Sequence, residues 1–318
     1  MQEVTQAVKT RSVDALGLQG GGAHGAFAWG VVDALTEQGR QFDRVCGVSS
    51  GALTAVAYAQ GWARGGAAGA REEMARLWRR FAQAHALSPL RTSPFERWLW
   101  GWELGNTVLW QSLDVASRLF SPAQLNPFGI NPLRSVVLDI LDRKVLASAP
   151  APRLAVGVTD VETGRAVVFE NERIDANVLL ASCCLPYVFP AVRIDGRACW
   201  DGGFSGNPPL GPLLRSPLPR KLVIARAQLQ RRAGVPGTQT EIMNRLTEIA
   251  CQGVLDAELE AVPPSVEIES YKADEALHRL PISSKFNGEL DFLKELFEAG
   301  RRSVNNAADS ALTLRAAE

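Results

Sequence analysis

Residues 17–27 read GLQGGGAHGAF, five glycines and a histidine set between an apolar run and an apolar helical stripe. Val13 to Leu18 has the pattern of a short buried strand, while Ala26, Trp29, Val32 and Leu35 recur at helical spacing up to a stop signal at Gly39. A strand that passes through open backbone into a helix is the rhythm of a parallel α/β sheet. Gly20, Gly22 and Gly25 also fit the G-x-G-x-x-G spacing with which dinucleotide-binding folds bring backbone amides to a pyrophosphate. The loop alone leaves a cofactor site and other anion-cradling roles open.

The same rhythm continues downstream. A second strand is predicted from Arg44 to Val48, a helix from Gly51 to Gln60, and a charged amphipathic helix around 70–82. Between about 85 and 132 the composition shifts: Trp98, Trp100, Trp102 and Trp110 fall close together, followed by the proline-spaced SPAQLNPFGINPL, and an insertion or lid is expected. The spacing of two in 98-100-102 suits an extended segment as well as a helix. Strands are predicted again at 153–158 and 166–170, a short helix near Asn177, and a loop rich in proline and glycine from Leu185 to Pro209. A buried strand at Leu222–Arg226 follows, then helices at Glu241–Ala261 and Glu289–Leu314 with a strand between them at Val266–Tyr271.

Charge and cysteine usage exclude several function classes. Lysine and arginine total 34 against 34 acidic residues, so no net field favours nucleic acid. The five cysteines (Cys46, Cys183, Cys184, Cys199, Cys251) lack C-x-x-C spacing, and with three histidines they make neither a disulfide framework nor a zinc site. Glu3, Lys9, Arg11 and Asp14 precede any apolar stretch, the wrong pattern for a signal peptide, and no run of about 18 apolar residues occurs. A cytoplasmic chain is expected, with at most a peripheral contact to a membrane.

A second motif bears on the first. Cys46-Gly47-Val48-Ser49-Ser50-Gly51 contains G-x-S-x-G between a strand and a small-residue helix, the context of a nucleophile elbow. Gly47 and Gly51 remove side chains that would collide there, and the helix N-terminus adds partial positive charge where an oxyanion would form. A dinucleotide site wants an acidic residue roughly 20 positions beyond its glycines, at the end of the second strand; here that strand ends in Val48-Ser49-Ser50. A bare βα turn remains the alternative to a nucleophile. If Ser49 attacks an acyl carbonyl, the amides of Gly20, Gly21 and Gly22 are suited to cradle the oxyanion. For the base, His24, His85 and His278 show no local signature, whereas Asp201 in Trp200-Asp201-Gly202-Gly203-Phe204 ends a short apolar run; Asp195 is a rival assigned to a turn.

Three elements in order, Gly20-Gly21-Gly22-Ala23-His24-Gly25, Gly47-Val48-Ser49-Ser50-Gly51 and Asp201-Gly202-Gly203, resemble the patatin-like phospholipases. Thr159-Asp160 with Thr163-Gly164-Arg165, the approach from Ala181-Ser182 through Ile194-Asp195-Gly196, and Asn207-Pro208 extend the likeness over Val13 to Leu213. The resemblance implies a three-layer α/β/α sandwich with a mainly parallel central sheet, a helical and aromatic insertion, and a helical C-terminal tail. It implies a catalytic domain over 13–213 with its insertion at about 85–132, and residues 214–318 packed on the same domain. It implies a Ser-Asp dyad of Ser49 and Asp201, oxyanion donors at Gly20, Gly21 and Gly22, and supporting roles for Gly47, Gly51, His24, Gly25, Gly202 and Gly203, with no metal or cofactor. His24 stands where many relatives carry Arg or Lys, so it would help hold an anion only when protonated. Lys285-Phe286-Asn287 resembles a bacterial subgroup.

The substrate implied is a phospholipid or other lipid ester, with a soluble ester or thioester as the alternative. Trp98, Trp100, Trp102 and Trp110 read either as a peripheral membrane contact or as a buried aromatic cluster under a lid. A nucleotide-binding domain and a catalytically idle membrane scaffold are further rivals.

Overall fold

A computed structural model describes residues 13–86, 88, 90–232, 234–278 and 280–317. Glu3, Lys9 and Arg11 therefore lie outside the described residues. The first half runs β1 (Asp14–Leu18), α1 (Gly25–Glu37), β2 (Arg44–Gly47), α2 (Ser50–His85), α3 (Pro94–Trp100), α4 (Val108–Leu119), α5 (Pro122–Leu125), α6 (Leu133–Ile140) and α7 (Arg143–Leu146). The second runs β3 (Arg153–Asp160), β4 (Ala166–Glu170), α8 (Ala176–Ser182), β5 (Val192–Ile194), β6 (Arg197–Asp201), β7 (Lys221–Arg226), α9 (Gln239–Glu260), β8 (Glu267–Lys272), α10 (Asp274–Leu277) and α11 (Leu290–Ala317).

The strands form one sheet in the order β5-β6-β3-β2-β1-β7-β8, with β4 also paired to β3. Its centre is parallel: β1 pairs with β2 and β7, β2 with β3, and β7 with β8. The β4, β5 and β6 pairings are antiparallel. Side chains alternate across the sheet as strand geometry requires. Leu16, Leu18, Val45, Leu154, Val156, Val223 and Ala225 share a core with α1, α2, α6, α8 and α11. Ala15, Cys46, Ala155, Leu222 and Ile224 point the other way, onto Leu210, Leu213 and Leu255 of α9. Both faces are covered, which is why the central strands are apolar throughout rather than alternating.

One local prediction is corrected by the structure, and one open alternative is settled. The stretch from Leu185 to Pro209 is not all loop, because Val192–Ile194 and Arg197–Asp201 pair as an antiparallel hairpin. Asp195 (φ 50°) and Gly196 (φ 81°) both take positive φ at its turn, the conformation that Asp-Gly supplies between paired strands. The Trp98-Trp100 stretch is helical rather than extended. Pro94 stands at its first turn, and Ser93 and Glu96 close a capping box. The helices expected at 51–60 and 70–82 are the two arms of α2, which departs from helical dihedrals at Gly65 and Gly66.

Of the four insertion tryptophans, Trp98 is 79% exposed and Trp100 lies at the surface beside it. Trp102 instead packs on the core, donating Nε1–H to Glu295 at 2.8 Å with the Arg97 guanidinium over its ring, and Trp110 lies against Phe286. Among the described residues no helix is long and apolar enough to cross a membrane.

Candidate active site

Sheet and first crossover bring the glycine loop and the serine turn side by side at the carboxyl ends of β1 and β2. Ser49 joins β2 to α2 at φ 53° and ψ −130°, a conformation that costs about 1–3 kcal/mol for a residue with a side chain. The elbow is held from below. Ser49 N–H donates to Ser182 Oγ at 2.9 Å, and that hydroxyl donates to the Gly157 carbonyl at 2.8 Å. A Cβ on Gly51 would run into the Leu18 carbonyl, and one on Gly47 would lie 2.5 Å from the Gly51 carbonyl, so the turn packs backbone on backbone. Replacing Ser182 with alanine strands the Ser49 amide and is expected to cost about 1–3 kcal/mol. Loosening the elbow should also slow turnover roughly ten- to a hundredfold; melting curves and initial rates on the same preparation check both.

Asp201 ends β6, where the strand pairs with Val158, and is 6% exposed. Its backbone is fixed by N–H donation to Cys184 O at 2.8 Å and by Thr159 Oγ1 donating to its carbonyl at 2.7 Å. The carboxylate accepts the Gly203 amide at 2.9 Å and lies near enough to the Ser49 hydroxyl to feel it electrostatically. Burial raises its pKa to about 6, and the Gly203 amide and then the Ser49 hydroxyl restrain that rise. Cys183 also adjoins the Ser49 hydroxyl, and burial together with the Asp201 charge pushes its thiol well above its ordinary value. Gly202 packs on the Gly157 carbonyl, which draws the turn after Asp201 against β3.

The glycine loop is tied down at both ends. Gly20 N–H donates to Asn207 Oδ1 at 2.8 Å, Gln228 Nε2 donates to the Gly20 carbonyl at 2.9 Å, and Gly21 N–H donates to Ser50 Oγ at 3.2 Å. Gly22 has φ +61°, and a Cβ there would lie 2.5 Å from the Lys285 carbonyl. Of the three amides read as oxyanion donors, Gly20 and Gly21 thus already have acceptors within the fold. Gly25 starts α1 directly against Ser50 Oγ.

His24 stands away from the serine chemistry. Ser284 Oγ donates to the Pro281 carbonyl at 2.6 Å, so at 2.8 Å from His24 Nε2 it acts as acceptor and His24 carries its proton on Nε2. Its Nδ1 is buried without a partner. Burial, then the nearby Lys285 charge, lower its pKa to about 3. An anion-holding role for His24 requires protonation, which burial and the Lys285 charge disfavour, and the ring instead bonds Ser284. His85 is likewise depressed to about 4, by burial and then Arg91, and His278 caps α10. Asp195 sits at the exposed hairpin turn, paired with Arg173 at 3.0 Å.

Ser50 and Ser182 escaped the reading by residue type. A serine after the elbow and one inside ASCC look like any small polar residue until burial shows their bonds.

Fold and site together define an α/β protein with a serine at a strand–helix elbow facing a buried carboxylate. A family model described as Patatin-like phospholipase matches residues 16–214, well over half of the chain, and the chain belongs to that family. Uncharacterised NTE family proteins of Mycobacterium bovis and Mycobacterium tuberculosis are each 28% identical over 204 residues, covering 63% of this chain and 45% of theirs. The chain spans about half the length of these curated relatives. Among solved structures, human GIVD cytosolic phospholipase A2 in complex with methyl gamma-linolenyl fluorophosphonate has a TM-score of 0.45 at 13% identity, covering 95% of this chain and 59% of that one. VipD from Legionella pneumophila has a TM-score of 0.36 at 14% identity, covering 91% and 67%.

Proposed function

We propose that the chain is a serine acyl hydrolase in which Ser49 is the nucleophile and Asp201 the base. The observation that supports this is a serine at a strained strand–helix elbow, φ 53°, beside a buried aspartate whose pKa the serine hydroxyl lowers. As Ser49 Oγ bonds to the substrate's acyl carbon, its proton passes to Asp201. The tetrahedral oxyanion is met by the Gly22 amide, by Gly21 once its 3.2 Å bond to Ser50 is exchanged, and by the N-terminal end of α2. Gly20, held by Asn207, keeps the loop in place. Collapse breaks the bond to the leaving alcohol, which takes the proton from Asp201. Water then adds to the acyl-enzyme, giving a proton to Asp201, and breakdown returns that proton to Ser49 and frees the acid. A carboxyl of pKa about 6 is a stronger base than an ordinary carboxylate yet remains ionised at neutral pH.

The substrate class we propose is a lipid ester, phospholipids first, with the chain meeting the bilayer peripherally. Supporting this, Phe95, Trp98, Leu99 and Trp100 all lie exposed on α3 and its end. The catalytic unit is assigned to 13–213, with the insertion at 85–132; residues 214–318 complete it by adding β7 and β8 to the same sheet. The second reading, a carboxylesterase or thioesterase, rests on the same dyad with the aromatics serving the fold.

Purified protein and its Ser49→Ala variant, incubated with phospholipid vesicles, a triglyceride emulsion, short nitrophenyl esters and long acyl-CoA, separate these readings. Free fatty acid and lysolipid formed only by the wild type support the lipid assignment; cleavage of short esters or acyl-CoA alone moves the substrate into solution. Fully burying a large apolar side chain is worth about 1.5–3 kcal/mol. Trp98→Ala combined with Trp100→Ala should therefore weaken vesicle binding roughly tenfold or more, with short-ester hydrolysis unchanged. Equal losses on both substrates would place these rings in the fold rather than at a membrane.

A further inference from the structure

The Lys285-Phe286-Asn287 stretch has no place in the dyad chemistry, yet it lies directly behind the glycine loop. The helical turn Ile282–Phe286 packs on the turn Gly22–His24. Ser284 Oγ receives the His24 Nε2 proton at 2.8 Å, and the Lys285 carbonyl backs Gly22. On its other side the same segment holds the insertion. Gly105 N–H donates to Ser283 Oγ at 3.0 Å, Trp110 rests on Phe286, and Asn287 Nδ2 donates to the Trp102 carbonyl at 3.3 Å.

Lys285 locks this wedge to α9. Its Nζ donates to Asn244 Oδ1 at 3.0 Å and lies 3.5 Å from Glu248 Oε1. Glu248, only 1% exposed, also takes Arg232 at 2.8 Å and Arg245 at 3.4 Å. Burying one carboxylate among three cations is costly unless each is bonded and placed. The cluster therefore specifies one position for the turn. That position sets where the Gly22 amide sits, because the Lys285 carbonyl packs against Gly22.

We propose that Ser284 and Lys285 are positioning residues that hold the Gly20–Gly22 loop in its oxyanion-binding form, carrying to it the packing of the aromatic insertion. The inference rests on the acyl-transfer reading of Ser49 and deepens it. It places the rate-determining geometry of the site partly in residues 282–287, beyond the elbow and the dyad.

The test compares Lys285→Met, Lys285→Arg and Ser284→Ala with wild type on a short soluble ester, alongside inhibition by a trifluoromethyl ketone, whose hemiketal oxygen mimics the oxyanion. Lys285→Met is expected to lower kcat roughly ten- to a hundredfold with KM little changed, and to weaken the ketone by the same factor as kcat/KM. Lys285→Arg should retain most of the activity, and Ser284→Ala should show the same split at smaller size. All are assayed below their melting transitions, and Ser284→Ala, which deletes one hydroxyl, carries the test if Lys285→Met does not fold. Unchanged kcat and ketone affinity, or a change in KM alone, would overturn the inference while leaving the dyad standing. A wild type whose hydrolysis survives Ser49→Ala would instead sink the acyl-transfer reading, and this inference with it.

Discussion

Replacing Ser49 with alanine is expected to lower ester hydrolysis by roughly 10⁴-fold or more while leaving the fold in place. The fold is spared because the bond that fixes the elbow comes from the Ser49 backbone amide to Ser182, and alanine keeps it. The positive φ is no worse for alanine than for serine, since both carry a Cβ. Only the hydroxyl's contacts with Asp201 and Cys183 are lost. Cys183 does not substitute as nucleophile, because its thiol is held protonated far above neutral pH by burial and by Asp201. Rates and melting curves measured on one preparation check both halves of this expectation; a variant with more than a tenth of wild-type activity would remove Ser49 from the chemistry.

The Asp201→Asn variant should lose activity and gain stability. General-base catalysis is worth roughly 10²–10⁴-fold, so hydrolysis should fall by that order. The stability effect follows from linkage. Folding raises the carboxyl pKa from 3.8 to about 6, so the folded chain holds this proton more tightly than the unfolded one. The associated stabilisation is fully present below pH 3.8 and is lost as pH rises through about 6. Above that, the ionised group costs the folded state about 3 kcal/mol, the equivalent of about two pKa units. Asparagine removes the charge and retains an oxygen for the Gly203 amide. Denaturant titrations at pH 8 should show the variant more stable than wild type by up to about 3 kcal/mol, with the gap closing towards pH 4. Wild-type kcat/KM should decline as pH falls through about 6. A variant no more stable at pH 8 would mean that Asp201 is not penalised by burial.

Much of this architecture can be read from the chain because the informative positions are backbone-limited. Gly47 and Gly51 flank a serine where no side chain fits, and the strand–glycine–helix unit around Gly20–Gly25 has few alternative foldings. The apolar runs at 14–18, 153–158 and 222–226 appear as central parallel strands because both sheet faces are covered. The β5–β6 hairpin was hidden by the prolines on either side of it, although Asp195-Gly196 carried its turn. His24 was opaque for a different reason. Its charge state depends on burial and on Lys285, more than 250 positions away in the chain, and on a Ser284 that no local pattern connects to the loop. Ser182 and Ser50 were illegible for the same cause, since their role exists only as bonds across the fold.

The most direct test is to quench the protein during turnover of a slowly deacylating ester, digest it with trypsin and locate the acyl mass. The elbow falls in one peptide, Val45–Arg64, bounded by Arg44 and Arg64. The expected result is a single acyl group on that peptide, assigned by fragmentation to Ser49, absent from Ser49→Ala and strongly reduced in Asp201→Asn. Acylation at another residue that persists in Ser49→Ala, or steady hydrolysis by Ser49→Ala at the wild-type rate, would contradict the account.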